Sequence, residues 1–135
     1  MIAISTHLNE STDSLLRFAL RLDAAVSGVL GVATLALAGW LTEVSGIPAA
    51  LDYVLGALFI AFSIGVFVLA AQPFVRRPGL TIAIGNLAYT VGSAVFVLAD
   101  VVPLTTTGVA LILGVGVYTA AVGGLQYAGW RRAKR

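Results

Sequence analysis

The chain contains no cysteine and a single histidine, His7, ahead of the first long apolar run. The first absence excludes structural disulfides, thiolate metal sites and dithiol exchange. The second excludes a haem held by two histidines inside the apolar part of the chain. There is no Gly-rich phosphate loop, no H-E-x-x-H and no Ser–His–Asp set, and no connection is long enough to fold into a catalytic cap. The chain is therefore expected to be no enzyme and to hold no metal and no cofactor. Charge is scarce too: 10% of the 135 residues, against about 25% in soluble domains. With 59% hydrophobic residues and a mean hydropathy of +1.01, a water-soluble globule is excluded and a membrane protein is indicated.

What charge there is lies in an ordered pattern. Four apolar runs divide the sequence. Arg17 and Arg21 precede or open the first, Arg76 and Arg77 separate the second from the third, and Arg131, Arg132, Lys134 and Arg135 follow the fourth. The two remaining connections carry Glu43, Asp52 and Asp100 and no Lys or Arg. Short cationic loops stay in the cytoplasm, so four crossings with both termini inside are expected. The pI near 9.4 reflects these membrane-edge charges, beside anionic headgroups, and implies no nucleic acid. The expected architecture is all-α: one antiparallel four-helix transmembrane bundle over residues 1–135, with spans at about 14–41, 50–72, 80–101 and 105–128. Residues 1–13 read as a polar head whose Ser11-Thr12-Asp13 offers N-cap side chains. Pro48, Pro73, Pro78 and Pro103 fall at the connections, and Trp40, Tyr53, Tyr127 and Trp130 mark the two interfaces. Ala36-Leu37-Ala38 could pass for a signal-peptide cleavage site, but the apolar run outlasts a typical signal core and is read as a retained span. Val75-Arg76-Arg77 echoes Trp130-Arg131-Arg132, and Asp23 roughly corresponds to Asn86. That pattern is expected of a 2+2 parallel internal repeat about an axis normal to the membrane.

Ionisable and amide side chains inside spans carry the functional question. The first span presents Asp23, Ser27, Gly31, Thr34 and Ala38 at helical spacing, the third presents Asn86, Thr90 and Ser93, and the fourth Gly116, Thr119, Gly123 and Gln126. The second offers only Ser63 among Phe59, Phe62 and Phe67, so its aromatic surface is expected to meet lipid or a partner. Counting from the nearest basic residue or loop, Asp23, Asn86 and Gln126 lie within about 10 Å of the inner boundary. Two readings follow. Asp23, Ser27, Asn86, Thr90, Ser93 and Gln126 join helices by hydrogen bonds, or they form a proton or solute site open to the cytoplasm. Asp100 and Glu43 read as solvated loop acids. Small residues supply the other signal: Ala57, Ala61 and Gly65 in the second span and Gly116, Ala120 and Gly124 in the fourth, each row spaced by four. Such rows let backbones approach closely, within the monomer or against another subunit.

Leu20-Arg21-Leu22-Asp23-Ala24, Asn86 near the start of the third span, and Leu125-Gln126 before a basic tail resemble a group of small, uncharacterised four-helix bacterial inner-membrane proteins. The resemblance covers most of the chain. It implies the same topology and a bacterial plasma membrane, and it implies no activity. The expected role is a structural or accessory subunit packing on a larger membrane complex or on copies of itself. The alternative is a small transporter or channel using the polar faces of the first and third spans.

Overall fold

The structure is a computed structural model that describes residues 2–133, with side chains from residue 13 onward. Lys134 and Arg135 of the basic tail, and the side chains of His7, Glu10, Ser11 and Thr12, lie outside the described part. Among the described residues there are five helices and no strand: α1 (Ile2–Ala36), α2 (Ala38–Ser45), α3 (Ala49–Ala70), α4 (Arg76–Ala99) and α5 (Thr106–Arg132). Asp13–Ala36 of α1 and the whole of α3, α4 and α5 are long and apolar enough to cross a membrane.

The first expected helix is corrected at both ends. The chain is already helical at Ile2, and Asp13 is no cap. Its carboxylate instead pairs with Arg17 one turn on, at 3.0 Å, an i,i+4 pairing that favours continued helix through the supposed start. At 35 residues, α1 is about 52 Å long and exceeds a hydrocarbon core of about 30 Å. At the other end the helix breaks at Leu37 (φ −110°, ψ 14°) and resumes as α2. Thr34 Oγ1 bonds back to Leu30 O at 2.7 Å, an arrangement that bends helices. The bend brings α2 over the ends of α3 and α5, where Ser45 O accepts from Thr105 N at 3.0 Å. There the backbone of Ser45 packs so close to Gly108 that no side chain fits at that position. Gly46, at φ 79°, closes α2 in the left-handed conformation.

Two other boundaries move by a turn. Helix α4 begins at Arg76, so Pro78 lies in its first turn, where a missing N–H costs nothing because no intrahelical acceptor is available. Helix α5 runs on to Arg132, and its last-turn arginines face the negative end of the helix dipole. Thr105 caps its start by accepting from Gly108 N at 3.0 Å.

The bundle is small and polar inside and large and apolar outside. Asp52, Gly56, Ser63, Val66 and Ala70 form the buried stripe of α3, and Gly79, Ala83, Asn86 and Ser93 that of α4. Meanwhile Leu98 (83% exposed), Val117 (69%), Val29 (69%) and Ile64 (61%) point outward. Apolar surface on this scale is not left in water by a monomeric soluble protein, and small residues at helix contacts are how membrane helices pack. Helix α3 packs along α1, α1 along α5, and α5 along α4, while α3 and α4 barely meet. The expectation that the aromatic surface of α3 faces outward holds for Phe67 alone. Phe62 packs on the core of Leu16, Leu20, Ala24, Val66, Ala70 and Val75, and Phe59 turns across the bundle to Tyr89, ring centroids 6.0 Å apart. The gap between α3 and α4 is what admits both rings.

Candidate functional site

Two arginines tie the bundle together at one end. Arg17 on α1 donates to Ala70 O (2.8 Å), Gln72 O (2.7 Å) and Pro73 O (3.0 Å), carbonyls at the end of α3 that lack helical partners. Arg76 on α4 donates to Ala133 O at 3.1 Å, just beyond α5, and lies 4.4 Å over the Trp130 ring, which stacks on Tyr127. At the same end Leu16 packs on both Gly79 and Gly129.

Seven residues beyond Leu16, about 10 Å along the helix, α1 turns Asp23 into the interior. Its side chain is fully buried, as is that of Gln126, and Asn86 is 6% exposed. Asn86 Nδ2 donates to Asp23 Oδ2 (2.8 Å) and to Gln126 Oε1 (2.9 Å), and Gln126 Nε2 donates to Asp23 Oδ2 (3.0 Å). Three side chains from α1, α4 and α5 thus close a ring. Asp23 Oδ1 accepts from Ser27 Oγ (3.2 Å) and from Tyr118 OH (3.1 Å). Four neutral donors therefore surround one carboxylate, matching the four lone-pair sites of its ionised form. Among the described residues the one ion pair is Arg17–Asp13, so no cation compensates Asp23.

The remaining polar residues of the spans are engaged elsewhere. Thr90 Oγ1 bonds Asn86 O, Gly116 O and Thr119 Oγ1 at 2.7–3.1 Å, and Ser93 Oγ donates to Thr90 O at 2.8 Å. Thr90 and Ser93 thus face α5, while Asn86 one turn before Thr90 meets both α5 and Asp23 of α1. Ser63 Oγ donates to Ala24 O at 2.6 Å, opposite Gly28. No buried side-chain nitrogen or oxygen among the described residues lacks a partner. Of the small-residue rows, Gly116 is buried and packs against Ser93, Ala120 is half-buried, and Gly124 is exposed with open space around it. Ala57, Ala61 and Gly65 are all exposed, and nothing lies within 4 Å of a side chain placed at Gly65.

Two residues escaped the reading of the sequence. Tyr118 precedes Gln126 by eight residues and so shares its helix face, but tyrosine in a span reads first as an interface marker. Asp52, counted among the acids of the outer connections but given no role, is the second. It lies in the first turn of α3, 3% exposed, where Thr42 Oγ1 donates to its Oδ2 at 3.3 Å. The bend at Leu37 that carries Thr42 over α3 is what buries it. Glu43 and Asp100 are exposed, Asp100 ending α4 at φ 55°.

The four spans mark a multi-pass membrane protein, and the buried polar side chains of α1, α4 and α5 form a hydrogen-bonded ring. No protein-family model, curated protein or solved structure matches the chain.

Proposed function

We propose that this chain is a non-catalytic membrane subunit that docks, through its lipid-facing helices, on a larger membrane complex or on a second copy of itself. The observation that carries this reading is the row Ala57–Ala61–Gly65. It lies open on the outside of α3, while the polar groups of the spans bond within the chain. The reading places the protein in a bacterial plasma membrane, with its spans alternating in direction and both termini in the cytoplasm. The distribution of Arg and Lys supports that orientation. A 2+2 repeat is part of the proposal, supported by one correspondence: Arg17 of α1 bonds the end of α3 as Arg76 of α4 bonds the end of α5. Cross-linking in native membranes tests the docking: wild type should yield a larger species that Gly65→Leu abolishes. A solitary monomer in both membranes and mild detergent would overturn it.

Transport is the second reading, favoured by the uncompensated, fully buried carboxylate of Asp23. On this reading Asp23→Asn in liposomes abolishes proton or cation flux while the fold survives. Equal flux in both proteins, or none in either, removes the idea.

A further inference from the structure

A cavity of about 200 Å³ lies at the opposite end of the bundle from Arg17 and Arg76, where α3 and α4 part. Leu30 of α1, Leu55 and Phe59 of α3, Tyr89 of α4 and Ile112 of α5 supply its apolar walls, and Asp52 lies at its edge beside α2. This carboxylate differs from Asp23 in what surrounds it. Asp23 has four donors. Among the described residues Asp52 has one, the Thr42 hydroxyl at a long 3.3 Å, and no cation within ion-pair distance. It lies in the first turn of α3, beside free N–H groups of the helix start. A buried, under-coordinated anion at the end of an apolar slot is complementary to one kind of molecule, a short amphiphile with a positive head.

We propose that this cleft binds a small lipophilic monocation, its ammonium on Asp52 and its apolar body along Leu55 toward Phe59 and Tyr89. The dimensions agree. Phe59 follows Asp52 by seven residues, about 10 Å along α3, the length of a medium alkyl chain. A dry cavity of about 150 Å³ accommodates benzene, so 200 Å³ accommodates one such chain and is smaller than the pockets of about 300–1,000 Å³ that take drug-sized ligands. A neutral or anionic chain would gain the walls but leave Asp52 without a counter-charge in an apolar site, which is costly. The site is separate from the Ala57–Ala61–Gly65 row, which is on the outside of α3, so it stands whether or not that row docks a partner.

Equilibrium binding of radiolabelled octylammonium tests this, using the full chain in nanodiscs of phosphatidylcholine, with empty nanodiscs subtracted. The wild type should bind saturably, with octanoate unable to compete. Asp52→Asn, which keeps the shape and the Thr42 bond, should bind roughly tenfold more weakly or worse, because a charge-assisted contact is lost. Ala33 of α1 also lines the cleft, so Ala33→Leu, which fills it, should lose binding with Asp52 intact, and it serves as the reading if Asp52→Asn does not fold. Undiminished binding by a folded Asp52→Asn or Ala33→Leu variant, competition by octanoate equal to that of octylammonium, or no saturable binding above empty nanodiscs would each overturn the assignment.

Discussion

Replacing Asp23 by Ala and by Asn should give opposite results, and the difference can be worked from the hydrogen-bond ring. Asp23→Ala removes three interhelical bonds, from Asn86, Gln126 and Tyr118. At about 0.6 kcal/mol each, the average for such bonds in membranes, the loss is about 2 kcal/mol. Asn86 Nδ2 keeps Gln126 Oε1 as acceptor, whereas Gln126 Nε2 is left with none, which adds about 1 kcal/mol. The total is about 3 kcal/mol. Asp23→Asn can keep every contact. Its carbonyl oxygen takes the position of Oδ2 and accepts from both amide nitrogens, while its NH2 donates to Ser27 and Tyr118, whose hydroxyls can turn to accept. The cost should stay under about 1 kcal/mol. Unfolding of the two variants in mixed micelles of increasing SDS fraction, followed by circular dichroism, measures both. If Asp23→Ala proves as stable as Asp23→Asn, the ring does not hold the helices together and the reasoning fails. The same experiment establishes that Asp23→Asn is a folded protein, which the flux comparison requires.

Three further outcomes are expected. Arg17→Lys should destabilise by about 1–2 kcal/mol in the same assay, since one ammonium cannot reproduce a planar fork spread over Asp13, Ala70 O, Gln72 O and Pro73 O; an unchanged midpoint would argue that these bonds contribute nothing. Gly129→Ala should cost about 1–3 kcal/mol through overpacking, because its Cβ would lie 2.7 Å from the Leu16 Cα and N. Gly85→Ala and Gly92→Ala, which meet open space, should be tolerated, and equal effects at all three would contradict the packing. With no native cysteine, Phe74→Cys and Glu43→Cys report topology cleanly. A membrane-impermeant maleimide should label Glu43→Cys on intact cells and Phe74→Cys only after permeabilisation, and the reverse pattern would invert the orientation.

The spans were legible because each apolar run is uninterrupted and each connection holds a proline or a pair of charges. The meeting of Asp23, Asn86 and Gln126 was legible in part: few strongly polar side chains enter the spans, and their distances from the nearest basic residue or loop put them at a common depth. What the sequence hid depends on contacts between distant segments. Ser11-Thr12-Asp13 carries the chemistry of a helix start, and only the pairing of Asp13 with Arg17 shows it used inside a helix. No proline announces the break at Leu37, and without that break nothing shows that Asp52 is buried. The spacing of Thr90 and Ser93 told that they share a face. It did not tell that the face belongs to α5, because periodicity orders residues around one helix and says nothing of which neighbour lies opposite.

The ring has a consequence for the order of synthesis. Asp23 waits 63 residues for Asn86 and 103 for Gln126, so the first span enters the bilayer carrying a carboxylate whose interhelical donors have not yet been made. Until α4 and α5 are made, α1 can pack on α3 through Arg17 and Ser63, but its carboxylate lacks these donors, at a cost of up to about 3 kcal/mol. A chain that stalls before Gln126 therefore leaves open the carboxylate that the finished protein encloses.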